Sequence, residues 1–241
     1  MDMEVEALKE ANSLTKEEYD SFLRIMEQIP SPRAPINGKE ARLCFEFMED
    51  TGLRVNETIH VRKKDVDFTT RLLTVTMPKV EKRCKCSQWK NKNEYSNVKI
   101  LEYADPNCKH CHGKGKWKKP QTTTITPRIM PKLYEYCMTL KDDDYLFPIS
   151  RQSLWVWAKD AGERANIRIF QKKEERIIKG LFVHFFRALC SKRMKADASN
   201  DQYRDELVHC KLRWAYDNMA DRYTKIDINY LLSWEKRTYC E

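Results

Sequence analysis

Two short runs of alternating β-branched residues, LLTVTM at 72–77 and TTTITP at 122–127, read as strands; what separates them is too basic and too poor in large apolar side chains to be core. The runs therefore read as one hairpin interrupted at its tip, with residues 80–119 inserted as a separate module. DVDF, just upstream, adds a short strand. Before the hairpin the pattern is helical. Residues 14–29, LTKEEYDSFLRIMEQI, follow a Ser13 or Thr15 cap and show an apolar face of Tyr19, Phe22, Leu23, Ile25 and Met26. A second helix over 39–50 ends at Gly52 in the manner of a C-cap, and a short one covers 56–61. From Pro131 onward the chain reads as helices, with loops near 141–145 and 168–175. The fold class is thus mainly α with a small antiparallel β-sheet, an α+β arrangement in which residues 1–12 are a tail and 13–241 one domain.

The 241 residues, 41% of them apolar, suffice for such a domain. No apolar run approaches the roughly 18 residues of a membrane span, and the start MDMEVEALKEANS lacks the basic and apolar regions of a secretory leader. A cytoplasmic protein is expected. The formal net charge is +9, and between Lys79 and Lys119 twelve Lys or Arg face four Asp or Glu, so one 41-residue stretch carries +8 of it. Such a surface engages phosphates by releasing condensed counterions; the plainer alternative is a solvated loop.

Of nine cysteines, Cys84, Cys86, Cys108 and Cys111 fall inside this stretch as CxC, 21 residues, then CxxC. Four thiolates at that spacing match a tetrahedral structural zinc site, with glycines in CKHCHGKGKW suited to the tight backbone around a metal. His110 or His112 can replace one cysteine in the set, and CKHCH also fits a haem-attachment pattern that the basic context disfavours. With so little apolar material nearby, zinc would supply most of the module's folding energy.

Downstream, LFVHFFRALCSKRM places His184 and Arg187 three apart on an otherwise apolar helix. A buried arginine needs an anion, either a carboxylate of the protein or a substrate phosphate.

Three fragments in order, TGLRVNE, HFFR and RYTKID, resemble the first arginine box, the His-x-x-Arg box and the nucleophile box of the tyrosine recombinase and integrase family. With the intervening elements the likeness covers about residues 13–227, and it fits a phage-integrase-like catalytic domain, of an archaeal or mobile-element type. The resemblance implies a site-specific recombinase for double-stranded DNA, needing neither ATP nor a catalytic metal. In it Arg54 and Arg187 clamp the scissile phosphate, Glu57 orients Arg54, His184 acts as a proton acceptor or as an additional phosphate donor, and Tyr223 attacks phosphorus to leave a 3′-phosphotyrosyl link. Lys79, with Lys82 as alternative, protonates the leaving 5′-oxygen. For a third-box residue the family's Leu-Gly-His is replaced by VHCKLRW, where Val208 stands for glycine; His209 is the choice and Trp214 the alternative. Tyr216 and Tyr230 compete with Tyr223, and ADRYTKID favours Tyr223. Asn56 and Ala188 are smaller departures.

The family's N-terminal core-binding domain is expected to be absent, with the zinc module taking over part of its DNA contact. The apolar tail TKIDINYLLSWEKRTYCE docks either on its own core or, as the resemblance implies, in a neighbouring subunit of a tetramer assembled on DNA. Two rival functions remain: a type IB topoisomerase, and a catalytically silent, zinc-stabilised DNA-binding protein.

Overall fold

The computed structural model describes residues 14–29, 36–76, 82–91, 99–117, 120–167, 170–173, 176–179, 185–213 and 227–240. Helix α1 (Lys16–Gln28) begins with a reciprocal cap: Glu18 N donates to Thr15 Oγ1 and Thr15 N to Glu18 Oε2, so Thr15 and not Ser13 is the cap. Helix α2 (Gly38–Thr51) starts in the same way on Asn37 and Glu40 and stops at Gly52, whose φ of 62° is left-handed. A single turn, α3 (Val55–Thr58), follows, shorter than the expected 56–61 helix.

Strands β1 (Val66–Asp67), β2 (Leu72–Val75) and β7 (Gln121–Thr124) form one antiparallel sheet in the order β1, β2, β7, with Leu72 opposite Thr124 and Val75 opposite Gln121. The two flanking runs do pair across the insertion. Within it β3 (Lys82–Arg83) pairs with β6 (Lys116–Trp117), and β4 (Ser87–Asn91) with β5 (Lys99–Ala104), forming a two-stranded arm.

Helices α4 (Met130–Cys137), α5 (Arg151–Arg164), α6 (Phe185–Asp197), α7 (Arg204–Leu212) and α8 (Ile228–Cys240) complete the chain. The sequence predicts a loop near 168–175, but β8 (Phe170–Lys173) and β9 (Arg176–Lys179) pair antiparallel there. QKKEER and its neighbours offer no alternating apolar face, so backbone bonding alone marks this hairpin and periodicity cannot find it.

Two apolar clusters meet at α6. Phe186, near its start, packs against Phe22 and Phe45 with ring centroids 5.4 and 4.7 Å away. Further along, Cys190 and Met194 join Leu207, Val208 and Leu212 of α7 and Leu231 and Trp234 of α8. The C-terminal helix thus docks on its own chain. Burying Leu231 and Trp234 contributes about 1.5–3 kcal/mol each, and a fully buried ion pair fixes the register: Lys211 Nζ lies 2.7 Å from Glu235 Oε1 and donates to the Thr124 carbonyl.

The end of α2 is anchored by charge. Glu49 accepts from Arg193 Nε of α6 at 2.6 Å and from Arg128, while buried Asp50 accepts from Thr126 N at 2.9 Å. Burial works to raise the Asp50 carboxyl, but Lys211, Arg193, Arg128 and the Thr126 hydrogen bond outweigh it and hold the group below the ordinary carboxylate range. These bonds lock the residues just ahead of Arg54 to α6 and to the segment after β7.

Candidate active site and metal centre

Gly52 is where three elements touch. A Cβ there would lie 2.2 Å from Leu212 Cδ2 and 3.2 Å from Cys190 Sγ, so only glycine satisfies both the left-handed turn and the approach of α6 and α7. The turn delivers Arg54 to the start of α3, where its backbone N donates to Glu57 Oε2 at 2.9 Å and its Nη1 to Oε1 at 3.0 Å. Glu57 is 2% exposed and also accepts from Arg213 Nη2 at 2.7 Å.

Arg187, one turn before Cys190 on α6, is 8% exposed and donates to the carbonyls of Gly52 and Leu212. Those two bonds hold the guanidinium in place between α2 and α7. Burial, together with the nearby charges of Arg54 and Arg213, lowers its pKa to about 10, against the weaker pull of Glu57. Arg213 is likewise pushed down, first by burial and then, against Glu57, by Arg54. Three guanidiniums, those of Arg54, Arg187 and Arg213, thus gather near the one Glu57 carboxylate, a positively charged arrangement suited to an anion.

Of the residues singled out in the sequence, Arg54, Glu57 and Arg187 come together here. His184, Tyr223, Lys79, Trp214 and Tyr216 lie outside the described residues. Lys82 pairs through its backbone with Trp117 in β3. His209 is half-buried inside α7, and Tyr230 sits on α8 with its ring edge-on to Tyr203 at 5.5 Å, part of the second cluster. Val208, read as standing for a glycine, is buried mid-helix; the glycine-like backbone belongs to Arg213, with φ 55° at the end of α7. Sequence reasoning missed Arg213. An arginine rarely adopts that conformation, so nothing in the letters marks it.

In the insertion, the sulfurs of Cys84, Cys86, Cys108 and Cys111 all lie within 4.8 Å of one another, with Cys84 to Cys108 at 3.5 Å and Cys86 to Cys111 at 3.4 Å. Zinc–sulfur bonds of about 2.3 Å place tetrahedral sulfurs roughly 3.8 Å apart, so the set fits such an ion. Gly113 and Gly115 take φ of 78° and 69°, and Gly115 accepts from Cys84 N at 2.8 Å, closing the turn around the sulfurs. His110 instead packs its ring on Trp117 at 4.8 Å. Trp89 is flanked by Arg83 at 5.2 Å and Lys116 at 5.0 Å, which places basic groups on the root of the arm.

A family model described as the phage integrase family matches residues 12–229. Among solved structures, the Tn1549 transposon integrase in complex with transposon right end DNA is 12% identical with a TM-score of 0.50, covering 96% of this chain and 67% of that one. XerH site-specific recombinase bound to its difH substrate is 16% identical with a TM-score of 0.50, covering 89% of this chain and 50% of that one. The chain therefore spans about half to two thirds of the length of these structural relatives. No curated protein matches the sequence. Among the described residues no helix is long and apolar enough to cross a membrane.

Proposed function

Since the chain belongs to the phage integrase family of tyrosine recombinases, we propose that it cleaves and rejoins double-stranded DNA at specific sites through Tyr223. The observation that carries this reading is that the Arg54 and Arg187 guanidiniums come together beside the buried Glu57 carboxylate. A phosphodiester entering there gains two planar donors for its non-bridging oxygens, and as the pentacoordinate transition state adds negative charge they stabilise it without a catalytic metal. Tyr223 attacks phosphorus, the bond to the 5′-oxygen breaks, and that oxygen takes a proton from Lys79 or Lys82. His184 accepts and returns the tyrosyl proton. For the third box, the left-handed backbone at Arg213 supports Trp214, next in the chain, over His209 within α7.

The four cysteines are proposed to hold a structural zinc ion, with Cys84, Cys86, Cys108 and Cys111 as ligands; the ion would fix the fold of residues 80–119 and take no part in the chemistry. The basic arm then rests on DNA backbone outside the site, and assembly is tetrameric on paired sites. Metal analysis of protein purified without added zinc tests the centre, with one zinc per chain expected.

The function is tested with a pool of nicked duplexes carrying a randomised centre, in which a cleaved strand loses its short 5′-hydroxyl fragment and cannot religate. The wild type is expected to retain a defined subset of sequences through denaturing detergent, and Tyr223→Phe none. Retention of nothing by the wild type overturns the reading in favour of a silent DNA binder.

A further inference from the structure

Arg213 is no part of the family's set of residues given above, yet it stands inside the same site. Its side chain is 4% exposed and meets the Glu57 carboxylate, itself 1% exposed, at 2.7 Å. That bond uses Nη2 alone: Nε and Nη1 are buried, and among the described residues no acceptor meets either. A buried guanidinium with two unmet nitrogens is costly unless an acceptor arrives from outside. Its charge also lowers the pKa of Arg187, so the two guanidiniums belong to one electrostatic neighbourhood. A structural ion pair explains the Glu57 bond but not the unmet donors.

The backbone points the same way. Arg213 holds φ at 55°, a conformation disfavoured for any residue with a Cβ, and it does so with its N–H bonded back to the carbonyls of His209 and Cys210. Strain of this kind persists where the surroundings enforce it, often at a functional site.

We propose that Arg213 is a third guanidinium of the phosphodiester site, bonded to Glu57 in the free protein and donating through its spare nitrogens to a non-bridging phosphate oxygen when DNA is bound. This rests on the recombinase reading of the Arg54 and Arg187 site. It makes Glu57 the common counter-ion of two phosphate ligands, one entering from α3 and one from the end of α7.

The test uses Arg213→Gly, which suits the left-handed backbone, and Arg213→Lys, which keeps the charge without the planar donors. Each variant of the 241-residue chain is assayed for covalent capture of a duplex enriched from the nicked pool, and of the same duplex with a methylphosphonate at the scissile position. Methylphosphonate replaces one charged oxygen with a methyl group, so a residue that serves that charge matters less on it. Arg213→Gly is expected to lower the capture rate on the ordinary phosphate by about 10²-fold, the scale of one lost donor to a developing charge, to lie within about threefold of the wild type on the methylphosphonate, and to recover in part with added guanidinium ion. Arg213→Lys is expected to fall between them on the ordinary phosphate. Capture by both variants at the wild-type rate overturns the proposal, and so does an equal loss on both substrates, which marks a structural role. A wild type that enriches no sequence from the nicked pool removes the recombinase reading itself and this inference with it, an outcome distinct from the other two.

Discussion

The guanidinium site and the cysteine centre are both small polar constellations, but they are held in place by different physics. Around Gly52, Arg54 and Arg187 every positioning group is tied to the core: α2 is locked to α6 through Glu49 and Arg193, and α7 to α8 through Lys211 and Glu235. The arm made by β4 and β5 leaves Ile100, Leu101 and Tyr103 exposed, and four converging sulfurs stand where a core would otherwise be. A site that must recognise charge is braced by packing from several elements. The surface module instead brings four thiols within reach of one ion.

The largest expected effect would break that contrast if it failed. Structural zinc is worth roughly 10 kcal/mol to a small module, so chelation should speed amide hydrogen exchange across 82–117 while α2 and α6 keep their protection. Equal loss in α2 and α6 would mean that the two regions fold as one.

Next comes the brace itself. Lys211→Met leaves Glu235 buried without its closest cation, which should cost about 3–5 kcal/mol and lower the urea midpoint, with the cysteine centre unaffected. Gly52→Ala forces a Cβ into Leu212 at a left-handed residue and is expected to destabilise by about 2–3 kcal/mol; a thermal melt checks it. If that variant melts like the wild type, Gly52 is not the junction described.

The charged network also sets a pH dependence. The Asp50 carboxyl is held below its ordinary value in the folded chain, so the stability it contributes is present above the unfolded carboxyl pKa of about 3.9 and is lost as pH falls through the folded value. The urea midpoint should drop on acidification, and Asp50→Asn should show a shallower drop. Arg187 has the opposite sense: its protonated form is strained at neutral pH, and an anion relieves it. Millimolar inorganic phosphate should therefore raise the melting temperature by a few degrees, since a ligand at 100 times its Kd contributes about 2.7 kcal/mol, and Arg54→Gln should lose that shift.

Legibility in the sequence followed the same division. The Gly52 C-cap, the α1 and α2 faces and the pairing of β2 with β7 were readable because local chemistry and periodicity agree there. That the four cysteines cluster was readable from spacing alone, since CxC and CxxC pairs each bring two thiols to one turn. Arg213 was not, because its place depends on a left-handed arginine and on a carboxylate 156 residues away in the chain. The β8 and β9 pair escaped because the letters of FQKK and RIIK show no regular alternation of apolar and polar residues.

The claim that organises all of this is that Tyr223 carries the covalent link to DNA. Digesting the captured protein with trypsin and mapping the nucleotide-bearing peptide tests it most directly. An adduct on the fragment Tyr223–Lys225, lost in Tyr223→Phe, is expected; an adduct on the fragment Trp214–Arg222, which contains Tyr216, would move the nucleophile to another tyrosine and overturn the assignment.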